Sequence, residues 1–407
     1  MKMYLRMKRK GLYATGLAVM AGHVMAQSDV RLYGALDAGL LNITNTSGGT
    51  GYLPGKVNAG TLRALKDGGI STSNWGLSGN ETLGGQLKAL FQLQGNVNLA
   101  NGSGGGPNSN SATSLFNQMA VIGLSGDFGT IKLGRQASPT YFAMASTDAR
   151  GARYFGSALN GLVALNSASK AFIGNNSNVA FGTIYNDNAL VYTSPTIGDV
   201  TFNVGYAAGE SGGSVRANSQ QSLTAVYRAN DWTLSALYYN GYGNDVPVAT
   251  ALYGKALGDK APAAVAAAGL VPTANTNRLV SLGALYRWNA YKVSGALYRA
   301  TNPAHAVLPG GAASLGMWTL GAGWDISPAV NLTTGYYRIT DHTNVGNQAS
   351  QSAVGLDVLL SKRTLLYLVG ARVRNQGANM NFSPVYATAV AANSNARAVM
   401  AGTRHTF

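Results

Sequence analysis

The chain has 407 residues, a formal net charge of +15, 53 glycines and no cysteine, and only 11 % of it is charged while 46 % is apolar. Charge this sparse, against a usual share of about 25 %, argues against an ordinary soluble enzyme surface, and the apolar content argues against disorder. Without cysteine there is no disulfide scaffold, zinc–thiolate site or iron–sulfur cluster, and four histidines leave little for a histidine metal site, so neither metal nor cofactor is expected.

The first element is an address. Lys2, Arg6, Lys8, Arg9 and Lys10 form a basic head, Gly11 to Gly22 is mostly small and apolar, and Val24, Met25 and Ala26 supply the small residues of a cleavage site. This pattern is that of a secretory signal peptide over residues 1–26, with residues 27–407 as the mature domain. The alternative is an uncleaved anchor helix, but the apolar run is shorter than the roughly 18 residues that a span requires. Losing residues 1–26 removes five cations and no acid, so the remainder keeps a charge of +10. Those cations are spread along the chain rather than gathered in a patch, and the segment directs export, so nucleic acid is not an expected partner.

After Ala26 the recurring pattern is period-two alternation over about ten residues, then a turn. Leu32, Leu36 and Ala38 alternate with Arg31, Tyr33 and Asp37; Leu87, Ala89, Phe91 and Leu93 alternate with Lys88, Leu90, Gln92 and Gln94. Phe202, Val204 and Tyr206 repeat the pattern, as do Leu223, Ala225 and Tyr227 against Ser222, Thr224 and Arg228. Strands are expected to begin near residues 29, 71, 85, 115, 130, 188, 200, 219, 232, 277, 291, 314, 329, 351, 364 and 394. Connections alternate between short turns, such as Asn230-Asp231, Asn289-Ala290 and Lys362-Arg363, and long polar stretches at Ile43–Ile70, Leu99–Ser114, Ser138–Asp187, Gly241–Thr276 and Gln376–Asn393.

Short turns at one end and long loops at the other describe an all-β chain folded as a transmembrane antiparallel β-barrel of about 16 strands, with short periplasmic turns and long extracellular loops. The barrel must close because a sheet edge cannot stay unpaired in hydrocarbon. Tyr286, Trp288, Tyr291, Trp318, Trp324 and Tyr336 are placed to form aromatic girdles at the two interfaces. A soluble secreted β-sandwich is the competing reading, but a sandwich of this length would divide into domains. At the far end Val399, Ala401, Thr403, His405 and Phe407 alternate with Met400, Gly402, Arg404 and Thr406.

If the apolar sets face lipid, the water-filled face carries Arg31, Lys88, Lys132, Arg228, Arg287, Lys292, Arg372, Arg374 and Arg404 against Asp37, Asp325 and Asp357. For Arg31, Arg287 and Arg404, which lie near strand ends, the competing reading is a place at the rim, where salt screens them within about 8–10 Å. The longest connection adds Arg150, Arg153 and Lys170 against Asp148 and Asp187. Fixed positive charge in a low-dielectric tube concentrates anions and repels cations. Catalysis finds no constellation: His305 and His342 fall in loops, His405 is read as lipid-facing, and Gly102 to Gly106 lacks the lysine and helix of a phosphate loop.

Several stretches in order resemble the general porins of β-proteobacteria, of the Neisseria, Burkholderia and Bordetella type. They are Asp29–Gly39 (DVRLYGALDAG), Trp75–Ala89 (WGLSGNETLGGQLKA), Val121–Gln136 (VIGLSGDFGTIKLGRQ), Asn188–Pro195 (NALVYTSP) and Gly402–Phe407 (GTRHTF). The resemblance implies a sixteen-stranded homotrimeric porin of the Gram-negative outer membrane, its third loop folded into the pore; here that loop is Ser138 to Asp187. It also implies surrounding outer-membrane lipids and lipopolysaccharide, and a barrel assembly machinery that reads the C-terminal strand through Phe407. Porins of this kind usually carry arginines on the wall facing the loop, but the matching positions here are Asn74, Gln118 and Tyr185, all uncharged. The expected function is passive diffusion of ions and small hydrophilic solutes, with a weak anion preference. The rivals are a channel selective for one solute class and an adhesin-like barrel using Gly241–Thr276.

Overall fold

A computed structural model of the chain describes residues 29–47, 58–104, 114–165, 184–210, 212–242, 276–301, 312–377 and 380–407. The expected signal peptide, Lys170, His305 and most of Gly241–Thr276 lie outside these residues.

The strands are β1 (Asp29–Ile43), β2 (Leu62–Asp67), β3 (Asn74–Gly84), β4 (Leu87–Asn96), β5 (Met119–Gly126), β6 (Gly129–Ala137), β7 (Tyr185–Thr193), β8 (Val200–Ala207) and β9 (Gln220–Ala229). They continue as β10 (Trp232–Tyr242), β11 (Thr276–Trp288), β12 (Tyr291–Thr301), β13 (Ser314–Ser327), β14 (Val330–Asp341), β15 (Gln348–Leu359), β16 (Thr364–Gln376) and β17 (Ala396–Thr406). Each pairs antiparallel with its neighbour, and β17 returns to β1 from Ala35↔Thr406 to Ile43↔Ala398, closing the barrel. Seventeen segments fill sixteen positions, because β2 and β3 are two halves of one strand: β3 pairs with β1 at Asp29–Ala35 and β2 pairs with it at Ala38–Ile43. Leu62–Asp67 falls inside the expected loop Ile43–Ile70 but is a strand: its alternation is too short to stand out, and pairing with β1 holds it extended.

The gap between the halves bends inward around one carboxylate. Asp37, fully buried, accepts hydrogen bonds from the backbone N–H groups of Gly69 (3.1 Å), Ile70 (2.9 Å) and Ser71 (3.1 Å), and from the Tyr367 hydroxyl (2.8 Å). Arg404 lies 3.5 Å from the same carboxylate. The barrel seam is therefore pinned by side chains from β1, β16 and β17 as well as by its ladder.

Large apolar residues cover the outside. Leu40, Leu282, Leu297, Leu320 and Trp288 are exposed in the isolated chain, an apolar area that hydrocarbon covers and water would not. Trp232–Tyr286, Trp288–Tyr291 and Tyr291–Trp324 form an aromatic cluster at the turn end, and Trp318–Tyr336 lies nearer the loop end. The compact core is inside the barrel, where Met144, Phe155, Leu159, Leu165, Tyr337, Phe382 and Tyr386 are almost inaccessible. It forms because the third loop and the segment after β16 fold inward, with the Tyr154 and Tyr386 rings 4.6 Å apart.

This filling corrects two positions. Arg372 and Arg374, read as lumen residues, are exposed on the outer face, whereas Ala371, Val373 and Asn375 point inward, Val373 into the packed loops. Near the loop end the inside is apolar and the outside is headgroup territory, so the usual apolar-out rule reverses there.

Candidate functional site: the pore and its inward loop

The third loop runs from Ser138 to Ile184, and its described part carries two short helices that β-alternation gives no hint of. Helix α1 (Pro139–Ser146) starts at Ser138, whose hydroxyl accepts from the Thr140 N–H, with proline in the first turn where its missing donor is harmless. Helix α2 (Ala158–Ala164) starts at Ser157 with a reciprocal Ser157–Asn160 cap.

The loop crosses the lumen and is tied to the far wall residue by residue. The Thr147 hydroxyl lies 2.9 Å from that of Ser235 on β10, the Ala149 N–H donates to Ser294 on β12 (3.0 Å), and Arg150 donates to the Thr333 hydroxyl on β14 (3.0 Å). Arg153 forms a two-pronged ion pair with Asp357 on β15, one bond at 2.8 Å. The wall makes room for this path: a Cβ at Gly283 would lie 2.2 Å from the Thr147 hydroxyl, and one at Gly355 2.9 Å from the Arg150 guanidinium.

Asp148 organises the turn between the helices. Its carboxylate accepts from the Arg150, Ala152 and Ala158 N–H groups (3.2, 3.0 and 3.1 Å) and from the Tyr337 hydroxyl (3.0 Å). Arg150, only 1 % exposed, also donates to the carbonyls of Gly156 (2.6 Å) and Phe155 (3.1 Å). Burial draws its pKa down from the ordinary arginine value, while Tyr337, Asp148 and Asp357 act in the opposite direction against the nearby Arg153. Asp148, Arg150 and Arg153, expected in the constriction loop, lie in the described part of the third loop between α1 and α2. However, Arg150 is a buried clamp that shows no charge to the lumen, and Arg153 is paired.

The wall positions Asn74, Gln118 and Tyr185 fall close to the loop's base. The Gln118 amide donates to the Thr72 hydroxyl (2.7 Å), the Asn74 amide to the Thr72 carbonyl (3.2 Å), and Gln94 bonds to Gln118. Asp187 belongs to β7, not to the loop, and forms an ion pair with Arg135. Arg135 is the wall arginine the sequence reading missed. Simple alternation from Lys132 points it at lipid, but a β-bulge between Gly134 and Gln136 turns it inward, above the Tyr185 ring at 5.6 Å. Gly134 makes the bulge possible, with φ +115° and no room for a Cβ, which would meet the Ala120 carbonyl at 2.1 Å. A Gly–Arg pair interrupting a strand pattern was the available signal.

Below the loop the lumen opens toward the turn end. Arg31, Lys88, Lys132, Arg228, Arg287 and Lys292 share the inward face with Asp29 and Asp325, and Arg287 and Lys292 lie directly opposite one another in the register. Among the described residues none of these six cations has an acid within ion-pair distance. Asp37 and Asp357 also face inward, but both are buried and held by Arg404 and Arg153. Like charges set opposite each other cost stability, and water must solvate them, so this half of the barrel is a hydrated, positively charged vestibule. Among the described residues no group of His, Cys, Asp and Glu could hold a metal ion.

The family profile of the Gram-negative porins matches residues 14–378. The chain is 29 % identical to outer membrane porin protein 32 of Delftia acidovorans over 402 residues, covering 98 % of this chain and all of that one. It is 26 % identical to an outer membrane porin protein of Bordetella pertussis over 400 residues, covering 91 % and 95 % of the two chains. Among solved structures it is similar to the anion-selective porin from Comamonas acidovorans, with a TM-score of 0.71 and 24 % identity over 94 % of this chain and all of that one.

Proposed function

The chain belongs to the Gram-negative porin family and forms a passive outer-membrane pore; from that premise we propose that the pore favours anions, as a homotrimer with one pore per barrel. Porins are channels, and diffusion through one needs no catalytic group. The observation that carries the anion reading is the vestibule: six inward cations with no acid partner among the described residues, against two exposed inward acids, Asp29 and Asp325. Such a ring raises local chloride concentration and repels potassium, and the preference weakens as salt shortens the Debye length. The uncharged Asn74 and Gln118 at the base of the loop keep it modest. Export through residues 1–26, a closing strand β17 read by the assembly machinery through Phe407, and passage of small hydrophilic solutes complete the proposal.

The test is the reversal potential across a tenfold KCl gradient in a planar bilayer. Chloride preference that falls in an Arg287→Gln/Lys292→Gln variant supports the reading. A cation preference in the unmodified pore refutes it.

A further inference from the structure

The charges around the inward loop cancel, and those below it do not. Arg135 pairs with Asp187, Arg153 with Asp357 and Arg404 with Asp37, while Arg150 and Asp148 share one buried turn. Among the described residues that is four cations against four acids around the loop, whereas the vestibule beneath holds six cations against Asp29 and Asp325. The wall amides facing the loop are engaged as well. Gln92 donates to the Tyr33 hydroxyl (2.7 Å), Tyr33 to Gln94 (3.0 Å), Gln94 to Gln118, and Gln118 to Thr72 (2.7 Å). A small hydrated anion or a polyol that leaves the vestibule therefore meets a passage without net charge, whose amides already satisfy one another.

What that passage does offer is aromatic surface. Helix α1 lies inside the barrel: a Cβ on Gly205 of β8 would come within 3.4 Å of the Pro139 ring, and Thr147, just beyond the helix, touches Ser235 on β10. Phe142 on that helix is 58 % exposed, so its ring stands in the water of the lumen rather than in the packed core. The Tyr141 ring meets it at 62°, with centroids 5.6 Å apart. Tyr185 on the wall lies within electrostatic reach of both Tyr141 and Tyr33, and Arg404 within reach of Tyr141. A phenylalanine ring gains nothing from facing water, whereas a passing aromatic ring can stack on it.

We propose that the solutes this pore favours are aromatic carboxylates of the size of benzoate. The vestibule cations attract the carboxylate, and Phe142 with Tyr141 receives the ring where fixed charge is balanced out. Such a solute carries its anionic group on one edge and a weakly hydrated face beside it. It can therefore exchange one kind of contact for the other along the path, which neither chloride nor an aliphatic acid can do. The proposal rests on the anion preference of the vestibule and adds to it a solute class and the residue that sorts it, Phe142.

The experiment records channels of the full-length porin in planar bilayers, in KCl at neutral pH, with added potassium benzoate, potassium cyclohexanecarboxylate or benzyl alcohol. The first two share charge and size and differ in the aromatic ring; the third keeps the ring without the charge. Benzoate should reduce the chloride current saturably, with a half-blocking concentration at least about threefold below that of either comparison. With KCl on one side and potassium benzoate on the other, the reversal potential should show that benzoate itself crosses. Phe142→Leu keeps an apolar side chain on α1 but no ring, and should bring the benzoate value up to that of cyclohexanecarboxylate. Phe142→Tyr should keep the advantage. Each value is taken relative to the same channel's current without added solute. Equal block by benzoate and cyclohexanecarboxylate in a chloride-preferring parent would overturn the inference and leave the anion reading intact, as would an undiminished benzoate advantage in Phe142→Leu. Equal block by benzyl alcohol would overturn it by removing the part played by the vestibule. A cation preference in the parent would overturn the anion reading and the inference with it.

Discussion

Replacing Arg150 with methionine separates loop docking from barrel stability. Methionine is similar in length and fills the same channel, so packing is largely kept. What disappears are the bonds from the guanidinium to the Gly156 carbonyl (2.6 Å), the Phe155 carbonyl (3.1 Å) and the Thr333 hydroxyl (3.0 Å). Each bond from a charged donor contributes about 1.5–3 kcal/mol, and removing the cation also removes its own desolvation cost, leaving a net loss of about 3 kcal/mol. At about 1.4 kcal/mol per tenfold, the undocked population of the loop rises by roughly a hundredfold. Arg150 belongs to no strand ladder, so the loss falls on the loop and spares the barrel. In planar-bilayer recordings the Arg150→Met pore should show more open-channel noise and excursions to higher conductance, while its unheated form still resists detergent. Recordings that superimpose on those of the parent in mean current, noise and substates would refute the clamp role.

Three further outcomes follow from the same geometry. A valine at Gly283 should push Thr147 off the wall and raise mean conductance in the folded pore, because a Cβ there comes within 2.2 Å of that hydroxyl; an unchanged current would place the loop elsewhere. Replacing Phe407 with serine should lower the yield of folded barrel severalfold in outer-membrane fractions, since it removes the ring that packs over Gly34 at the seam, where a Cβ would lie 2.5 Å from it, while the backbone bonds between the two residues remain; equal yield would mean that the aromatic ring is dispensable. N-terminal sequencing of outer-membrane protein should begin at Gln27, and an intact Met1 would contradict the proposed signal peptide.

The wall was legible because each strand obeys a two-residue period against lipid, and turn residues such as Asn289-Ala290 mark its ends; the sixteen expected starts fall within a few residues of the observed ones. What escaped was whatever broke that period. Leu62–Asp67 is held by its pairing with β1 rather than by its own pattern. Arg135 changes face at the Gly134 bulge, and Arg372 and Arg374 sit where the loop packing has made the interior apolar. Within the third loop the roles of Arg150 and Arg153 depend on partners nearly two hundred residues away or more, Thr333 for Arg150 and Asp357 for Arg153, and local sequence carries no record of such pairs.

The Asp37 cluster also sets an order of events. Its carboxylate sits at residue 37, while its cationic and phenolic partners come at Arg404 and Tyr367, more than three hundred residues later. Until β17 reaches β1, this acid cannot be dehydrated without the partners that make dehydration tolerable, and joining such distant segments is slow in its own right. A cylinder that sealed early, with β1 against an incorrect strand, would bury this carboxylate with its local N–H donors but without Arg404 and Tyr367. The resulting penalty disfavours cylinders of the wrong circumference and favours the closure in which β17 brings Arg404 to β1.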